Sequence, residues 1–199
     1  MLNLKKVAVT GGLSCGKSSV CHLFGELGAY VASADEMVHQ LLSPETNVGQ
    51  NVIQLIGSDI VIQNRIDRSK IAKKVFNQPE LLKALEQILH PEVRDEIEKH
   101  YQKACQQGIA TLFVVEIPLL FESSFGKYDY TVAVVANENI CKERFIQKSG
   151  YPEDEYNRRM SQQLSPLEKA KRADFVIRNE GTLDQLRNAV IDVYSKINQ

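Results

Sequence analysis

At 199 residues, with 43% hydrophobic and 25% charged residues, the chain has the composition of an ordinary globular protein, not of a disordered or fibrous one. Its net charge of −1 excludes a global electrostatic pull toward nucleic acid or an anionic membrane surface. The most apolar stretch, 109–121, contains Glu116 and Pro118 and is too short to span a bilayer, and the residues before Val7 hold no signal-peptide apolar region.

The four cysteines (15, 21, 105, 141) make no C-x-x-C pair, so the expectation is reduced thiols in a cytoplasmic protein. The four histidines (22, 39, 90, 100) make no H-E-x-x-H, which leaves zinc catalysis without support.

Val7 to Thr10 is a β-branched apolar run and predicts a first strand from about Leu4. A glycine-rich turn follows, and then a helical pattern (Val20, Leu23, Phe24, Leu27) ending at Gly28. Ala29 to Ala32 reads as a second strand, followed by a helix through Met37, Val38, Leu41 and Leu42 that Ser43-Pro44 ends. Residues 46–108 read mostly as helix, with a stop at Gly57, a hairpin or loop over 59–67, and a fresh helix start at Pro91. So long a block between strands predicts a helical subdomain over the substrate. Thr111–Glu116 and Tyr130–Ala136 read as buried parallel strands, and 137–148 as helix. Segment 150–172 is charged with no continuous apolar face. Asp174–Arg178 is a last strand, and Leu183–Ile197 a closing helix. The alternation predicts an α/β fold with a parallel five-stranded sheet flanked by helices. Its core would take in about 1–45, 109–141 and 173–199, with a helical insertion over about 46–108 and a lid over about 142–172.

The turn after the first strand carries the chemistry. Gly11, Gly16, Lys17 and Ser18 fit G-x-x-x-x-G-K-[ST], the phosphate-binding P-loop. Backbone N–H groups from Gly11, Gly12, Leu13, Ser14, Cys15, Gly16 and on to Ser19 can surround a triphosphate, and the helix N-terminus adds partial positive charge. Lys17 reaches the β- and γ-phosphates, and Ser18 offers a hydroxyl to Mg²⁺. Cys15 reads as a small loop residue or as a reactive thiol at a helix start.

Other candidates admit two readings each. Asp35, just after the second strand, is either an acceptor-side base or a charge favouring a helix N-terminus within a Ser33–Glu36 capping box. Glu116 is a carboxylate on Mg²⁺ or a solvated strand-end acid. The basic residues of 142–172, among them Arg144, Lys148 and Arg159, form a flap that closes over ATP or a solvated pair of helices. His90-Pro91 is a helix-start signal or holds a ligand.

The ordered set of motifs resembles the dephospho-CoA kinase family over nearly the whole chain. The matching pieces are Thr10–Ser18, Ala34-Asp35 with His39, His90-Pro91 with Val93, Pro118–Glu122, Glu143-Arg144, Arg159 with Gln163, Lys169–Asp174, and Val176–Gly181. The resemblance implies a P-loop kinase with a nucleotide core, a helical CoA-binding part and a lid. It would transfer the γ-phosphoryl of ATP, with Mg²⁺, to the 3′-hydroxyl of dephospho-CoA. It implies that Asp35 is the base and that Lys17 and Arg144 serve the transferring group. Asn179 would then lie on the ATP side, with His39, His90, Pro118, Leu119, Glu122 and Arg159 on the acceptor side. Many members carry Asp where Glu116 stands and Ser where Cys15 stands. No nucleic-acid, membrane or obligate protein partner is implied.

Two rivals follow from the residues. Another small-molecule P-loop kinase shares the loop and the lid. A nucleotide-binding switch protein would need D-x-x-G and N-K-x-D elements, and neither is in the chain, where Asn137-Glu138-Asn139 follows the fourth expected strand.

Overall fold

In the computed structural model, which describes residues 4–76, 78–123 and 125–199, the chain runs in this order. First come β1 (Lys6–Gly11), α1 (Lys17–Glu26), β2 (Tyr30–Ser33), α2 (Ala34–Leu41) and α3 (Asn47–Ile56). Next are the short β3 (Val61–Ile62) and β4 (Arg65–Ile66), then α4 (Arg68–Val75) and α5 (Pro79–Gln107). β5 (Phe113–Glu116), β6 (Tyr130–Val135), α6 (Glu138–Ser149), α7 (Glu153–Met160), α8 (Pro166–Arg172), β7 (Phe175–Arg178) and α9 (Leu183–Asn198) complete it. The chain divides into two compact units, one of Met1–Ser33 with His100–Gln199 and one of Ala34–Lys99.

The first unit is built on a five-stranded parallel sheet in the order β2-β5-β1-β6-β7, as the alternating pattern predicts. Both faces of its central strands are covered, so β1 and β5 are apolar without alternation: Val7, Ala8, Val9, Val114 and Val115 are fully buried. Residues of α1 (Val20, Phe24) and α9 (Leu186, Val190, Ile197) pack with the sheet residues Val7, Val9, Val132 and Val134 in one core. β1 lies at the middle of the sheet, so the loop that follows it emerges at the centre of the strands' C-terminal edge, where open α/β sheets bind ligands.

The second unit has its own apolar cluster, with Leu42, Val52, Ile56, Ile60, Ile66, Ile71, Val75 and Leu85 buried. Its stretch 59–67 is a hairpin: β3 pairs antiparallel with β4 across Gln63 and Asn64, both at positive φ (47° and 60°). Thr46 caps α3 by accepting from the Gly49 N–H, and Asp67 caps α4 by accepting from the Ser69 and Lys70 N–H groups.

One expectation fails here. No new helix starts at Pro91, because α5 runs unbroken from Pro79 to Gln107 with Pro91 inside it. An interior proline forfeits one backbone hydrogen bond and costs about 3 kcal/mol. Here the buried stripe of Leu85, Val93, Ile97, Tyr101 and Ala104 continues at helical spacing through that point, and Pro91 itself faces out. Burial on both sides of the proline outweighs the lost bond. No helix among the described residues is long and apolar enough to cross a membrane.

Candidate active site

The loop between β1 and α1 is shaped by two glycines. Gly11 leaves β1 at φ +146°, and a Cβ there would stand 2.2 Å from the Val134 carbonyl oxygen of β6. Gly16 sits at φ +95°, and a Cβ there would meet Asn179 Nδ2 at 2.1 Å. Ser14 also takes the left-handed region, at φ +57°. Left-handed backbone of this kind is what builds the N–H nests that bind anions. Asn179, at the end of β7, stitches the loop to the sheet: its Nδ2 donates to the Cys15 carbonyl at 3.0 Å, and its N–H donates to the Val135 carbonyl at 2.8 Å.

Lys17 opens α1 with its ammonium folded back over the loop. Nζ donates to the carbonyls of Gly12 at 2.9 Å and Gly11 at 3.4 Å, and the residue is 9% exposed. One residue on, the exposed Ser18 donates from Oγ to Glu116 Oε1 at 3.2 Å. Register explains the meeting: Glu116 is the last residue of β5, level with Val9 of β1 and Ser33 of β2.

A hydroxyl and a carboxylate are hard oxygen donors that fit Mg²⁺, which is held by one or two carboxylates together with phosphate oxygens and waters. Among the described residues there is no group of three or more His, Cys, Asp or Glu side chains that could hold a metal. The fit is therefore to a cation shared with phosphates, not to an all-protein cage.

On the far side of the loop a cavity of about 270 Å³ is lined by Gly16, Ser19, Arg144, Asn179, Gly181 and Leu183. Arg144, on α6, points its guanidinium there and donates from Nη1 to the Asn179 carbonyl at 3.1 Å. Leu13 and Ser14 are half-buried, and Cys15 is fully buried against Cys141 of α6.

Sequence reasoning missed the importance of Lys169. On α8, in the charged segment that reads either as a flap over ATP or as a solvated pair of helices, it is completely buried. Its Nζ donates to the Pro118 carbonyl at 2.7 Å and to Gln163 Oε1 at 3.1 Å, and it lies 3.0 Å from Glu122 Oε1. The Pro118 carbonyl also accepts from Thr10 Oγ1 at 3.1 Å, so one oxygen ties the end of β1, the turn after β5 and α8 together. Burial pulls the Lys169 pKa below its usual value, and the Glu122 carboxylate opposes that. Glu122 Oε1 also accepts from the Leu164 N–H at 2.9 Å, while its Oε2 is buried with no hydrogen-bond partner among the described residues. No periodicity marks Lys169, because a short charged helix looks the same whichever lysine turns inward.

Segment 150–172 forms the two helices α7 and α8. The apolar anchor of α7 is Tyr156, 2% exposed, with its ring edge-on to Phe145 at 5.7 Å. Arg159 is engaged within this segment: Nε donates to Glu155 Oε1 at 2.8 Å, and the guanidinium lies 5.3 Å from the Tyr151 ring centre and 5.5 Å from that of Phe145. Arg158 and Arg159 together hold the Glu155 carboxyl down to about 2. Leu119 is exposed and Pro118 half-buried.

Three other candidates belong to the second unit. Asp35 is the second residue of α2, exposed, with His39 four residues on along the same helix face. His90 is half-buried on α5, and its burial lowers its pKa, with Arg94 adding to that and Glu86 opposing it.

A parallel sheet of this order, a GxxxxGKS loop closed by its own lysine, and a serine–carboxylate pair beside it define a P-loop nucleotide-binding fold. Structural likeness agrees at fold level: a shikimate kinase from Bacteroides thetaiotaomicron superposes with TM-score 0.51 at 13% identity, over 99% of this chain and 100% of that one. Closer matches are a Thermus thermophilus protein (TM-score 0.84, 32% identity, 100% of both chains) and a dephospho-CoA kinase from Campylobacter jejuni (TM-score 0.68, 28% identity, 97% of this chain and 96% of that one).

A sequence profile described as dephospho-CoA kinase matches residues 5–185. Curated relatives named dephospho-CoA kinase include one from Protochlamydia amoebophila, 49% identical over 99% of this chain and 98% of its own length. Another, from Chlamydia pneumoniae, is 45% identical over 98% and 96%. The chain belongs to the dephospho-CoA kinase family.

Proposed function

We propose that this chain transfers the γ-phosphoryl group of ATP to the 3′-hydroxyl of the ribose of dephospho-CoA, giving coenzyme A and ADP, in the cytoplasm. The observation that carries this reading is the family match over residues 5–185, a range that takes in the phosphate loop and the acceptor-side motifs.

The roles we assign combine motif position with local geometry. Lys17 exchanges the Gly11 and Gly12 carbonyls for β- and γ-phosphate oxygens, bringing a preplaced cation to the charge that moves in the transition state. Arg144 turns from the Asn179 carbonyl to the transferring group when segment 142–172 closes as a lid. Ser18 and Glu116 would hold Mg²⁺, which would supply positive charge against the phosphates. Asp35 follows β2 by two residues and stands at the start of α2. It aligns the acceptor hydroxyl and takes its proton late, since a carboxylate is a weak base toward a ribose hydroxyl. His39, His90, Pro118, Leu119, Glu122 and Arg159 serve the acceptor side.

The test is ADP release with ATP and Mg²⁺, comparing dephospho-CoA, AMP, adenosine and shikimate. Release with dephospho-CoA, and a product heavier by one phosphoryl group, is the expected result; release only with a rival acceptor overturns the reading. Asp35→Asn tests the base. A large fall in kcat with ATP affinity little changed supports the role. Full activity with a stability loss of only about 0.3–1 kcal/mol leaves Asp35 a helix-end charge.

A further inference from the structure

The mechanism uses none of the four buried cysteines, and two of them meet. Cys15, inside the phosphate loop, and Cys141, on the first turn of α6, place their Sγ atoms 3.1 Å apart. Both are reduced and both are buried, at 0% and 1% exposure. A disulfide needs about 2.05 Å between sulfurs, so a shift of about 1 Å joins them. Cys15 lies in a loop and Cys141 on α6.

We propose that Cys15 and Cys141 form an oxidisable pair, a modification site at which a peroxide-class oxidant closes a disulfide across the phosphate loop and blocks nucleotide binding. The Cys15 thiolate sulfur attacks one peroxide oxygen; the O–O bond breaks, hydroxide leaves, and Cys15 becomes a sulfenic acid. The Cys141 sulfur then attacks Cys15 Sγ and gives up its proton, the S–O bond breaks, and water leaves. In sum, two thiols and one peroxide give one disulfide and two waters. A dithiol reverses the change by exchange.

The surroundings assign the order of events. Hydrogen sharing with Cys141 Sγ, together with nearby backbone groups and the Lys17 ammonium, holds the Cys15 thiol below its ordinary value against the opposing effect of burial. The same sharing, with burial, pushes the Cys141 pKa up. Cys15 is thus the attacking thiolate and Cys141 the resolving thiol. Cys21 is set apart, its pKa raised by burial and by the Glu116 carboxylate.

The consequence for the site is local. Ser14 and Gly16, the neighbours of Cys15, both hold left-handed backbone, and the Cys15 carbonyl is anchored by Asn179. Pulling Cys15 toward α6 therefore distorts the N–H groups that take phosphate. Arg144 stands three residues beyond Cys141 on the same helix and is drawn by the same pull.

The experiment uses the full chain, reduced or treated with hydrogen peroxide, then alkylated under denaturing conditions and mapped by mass spectrometry. Binding of ATP with Mg²⁺ is measured in parallel by calorimetry, so the outcome does not depend on which acceptor the enzyme uses. The expected result is a linked peptide joining Cys15 to Cys141, a loss of ATP affinity of at least about tenfold that follows the linked fraction, and recovery with dithiothreitol. Cys141→Ser binds ATP as the reduced protein does and forms no linked peptide. Linkage of other cysteines, oxidation of Cys15 without linkage to Cys141, or a linked protein with undiminished ATP affinity overturns the proposal.

Discussion

At the residue scale, two lysines show how position decides what a charge does. Lys17 is held by loop carbonyls at the mouth of the phosphate site. Lys17→Ala removes one donor from the transition state, and kcat should fall about 10²–10³-fold with the fold retained. Steady-state kinetics beside a circular-dichroism melt checks this; wild-type turnover in a folded variant defeats it. Lys169 is the opposite case, a cation sealed between Glu122, Gln163 and the Pro118 carbonyl. Removing one partner of a buried ion pair typically costs about 3–5 kcal/mol, because the other charge stays behind. Lys169→Met should lose stability on that scale, and adding Glu122→Gln should return part of it. Denaturant melts of both variants decide it, and a double variant no more stable than the single one contradicts the pairing.

His90 titrates by the same logic with a different sign of effect. Burial lowers its pKa below 6.5, so in the window between the lowered value and 6.5 the fold binds fewer protons than the unfolded chain. Its contribution is complete above pH 6.5 and is lost as pH falls through the folded value. Between about pH 7.5 and about pH 5.5, the wild-type melting temperature should therefore fall further than that of His90→Gln. Parallel curves for the two proteins rule this out.

At the scale of elements, the phosphate loop depends on how closely β1 and β6 approach. Gly11 is in register with Val134, and its Cα faces that residue's carbonyl with no room for a methyl group. Gly11→Ala combines a left-handed backbone, worth about 1–3 kcal/mol of strain, with an overpacked contact of about 1–3 kcal/mol. A lowered unfolding midpoint together with weakened ATP binding is expected; unchanged values of both contradict the geometric argument. Helix α5 teaches a related lesson. Local propensity stops a helix at Pro91, yet the buried stripe from Leu85 to Ala104 carries it through.

At the scale of the whole molecule, segment 142–172 holds few buried apolar side chains, Tyr156 and Phe145 foremost, and many exposed charged ones. Such segments open at low free-energy cost. As a lid it should exchange its amides more slowly when ATP and Mg²⁺ are bound; equal protection with and without nucleotide argues against a lid. The sheet, its parallel pairing and the phosphate loop were legible in the chain itself. Buried parallel strands read as unbroken Val and Ala runs, and the GxxxxGKS spacing is local. The Ser18–Glu116 meeting, the burial of Lys169 and the closeness of Cys15 to Cys141 were not legible. Each joins residues far apart in sequence through strand order and helix rotation, and neither composition nor periodicity carries that information. Sequence alone determined which chemistry the chain is equipped for. The tertiary structure decided which lysine is sealed inside and which thiols meet, because only packing selects the direction a side chain takes.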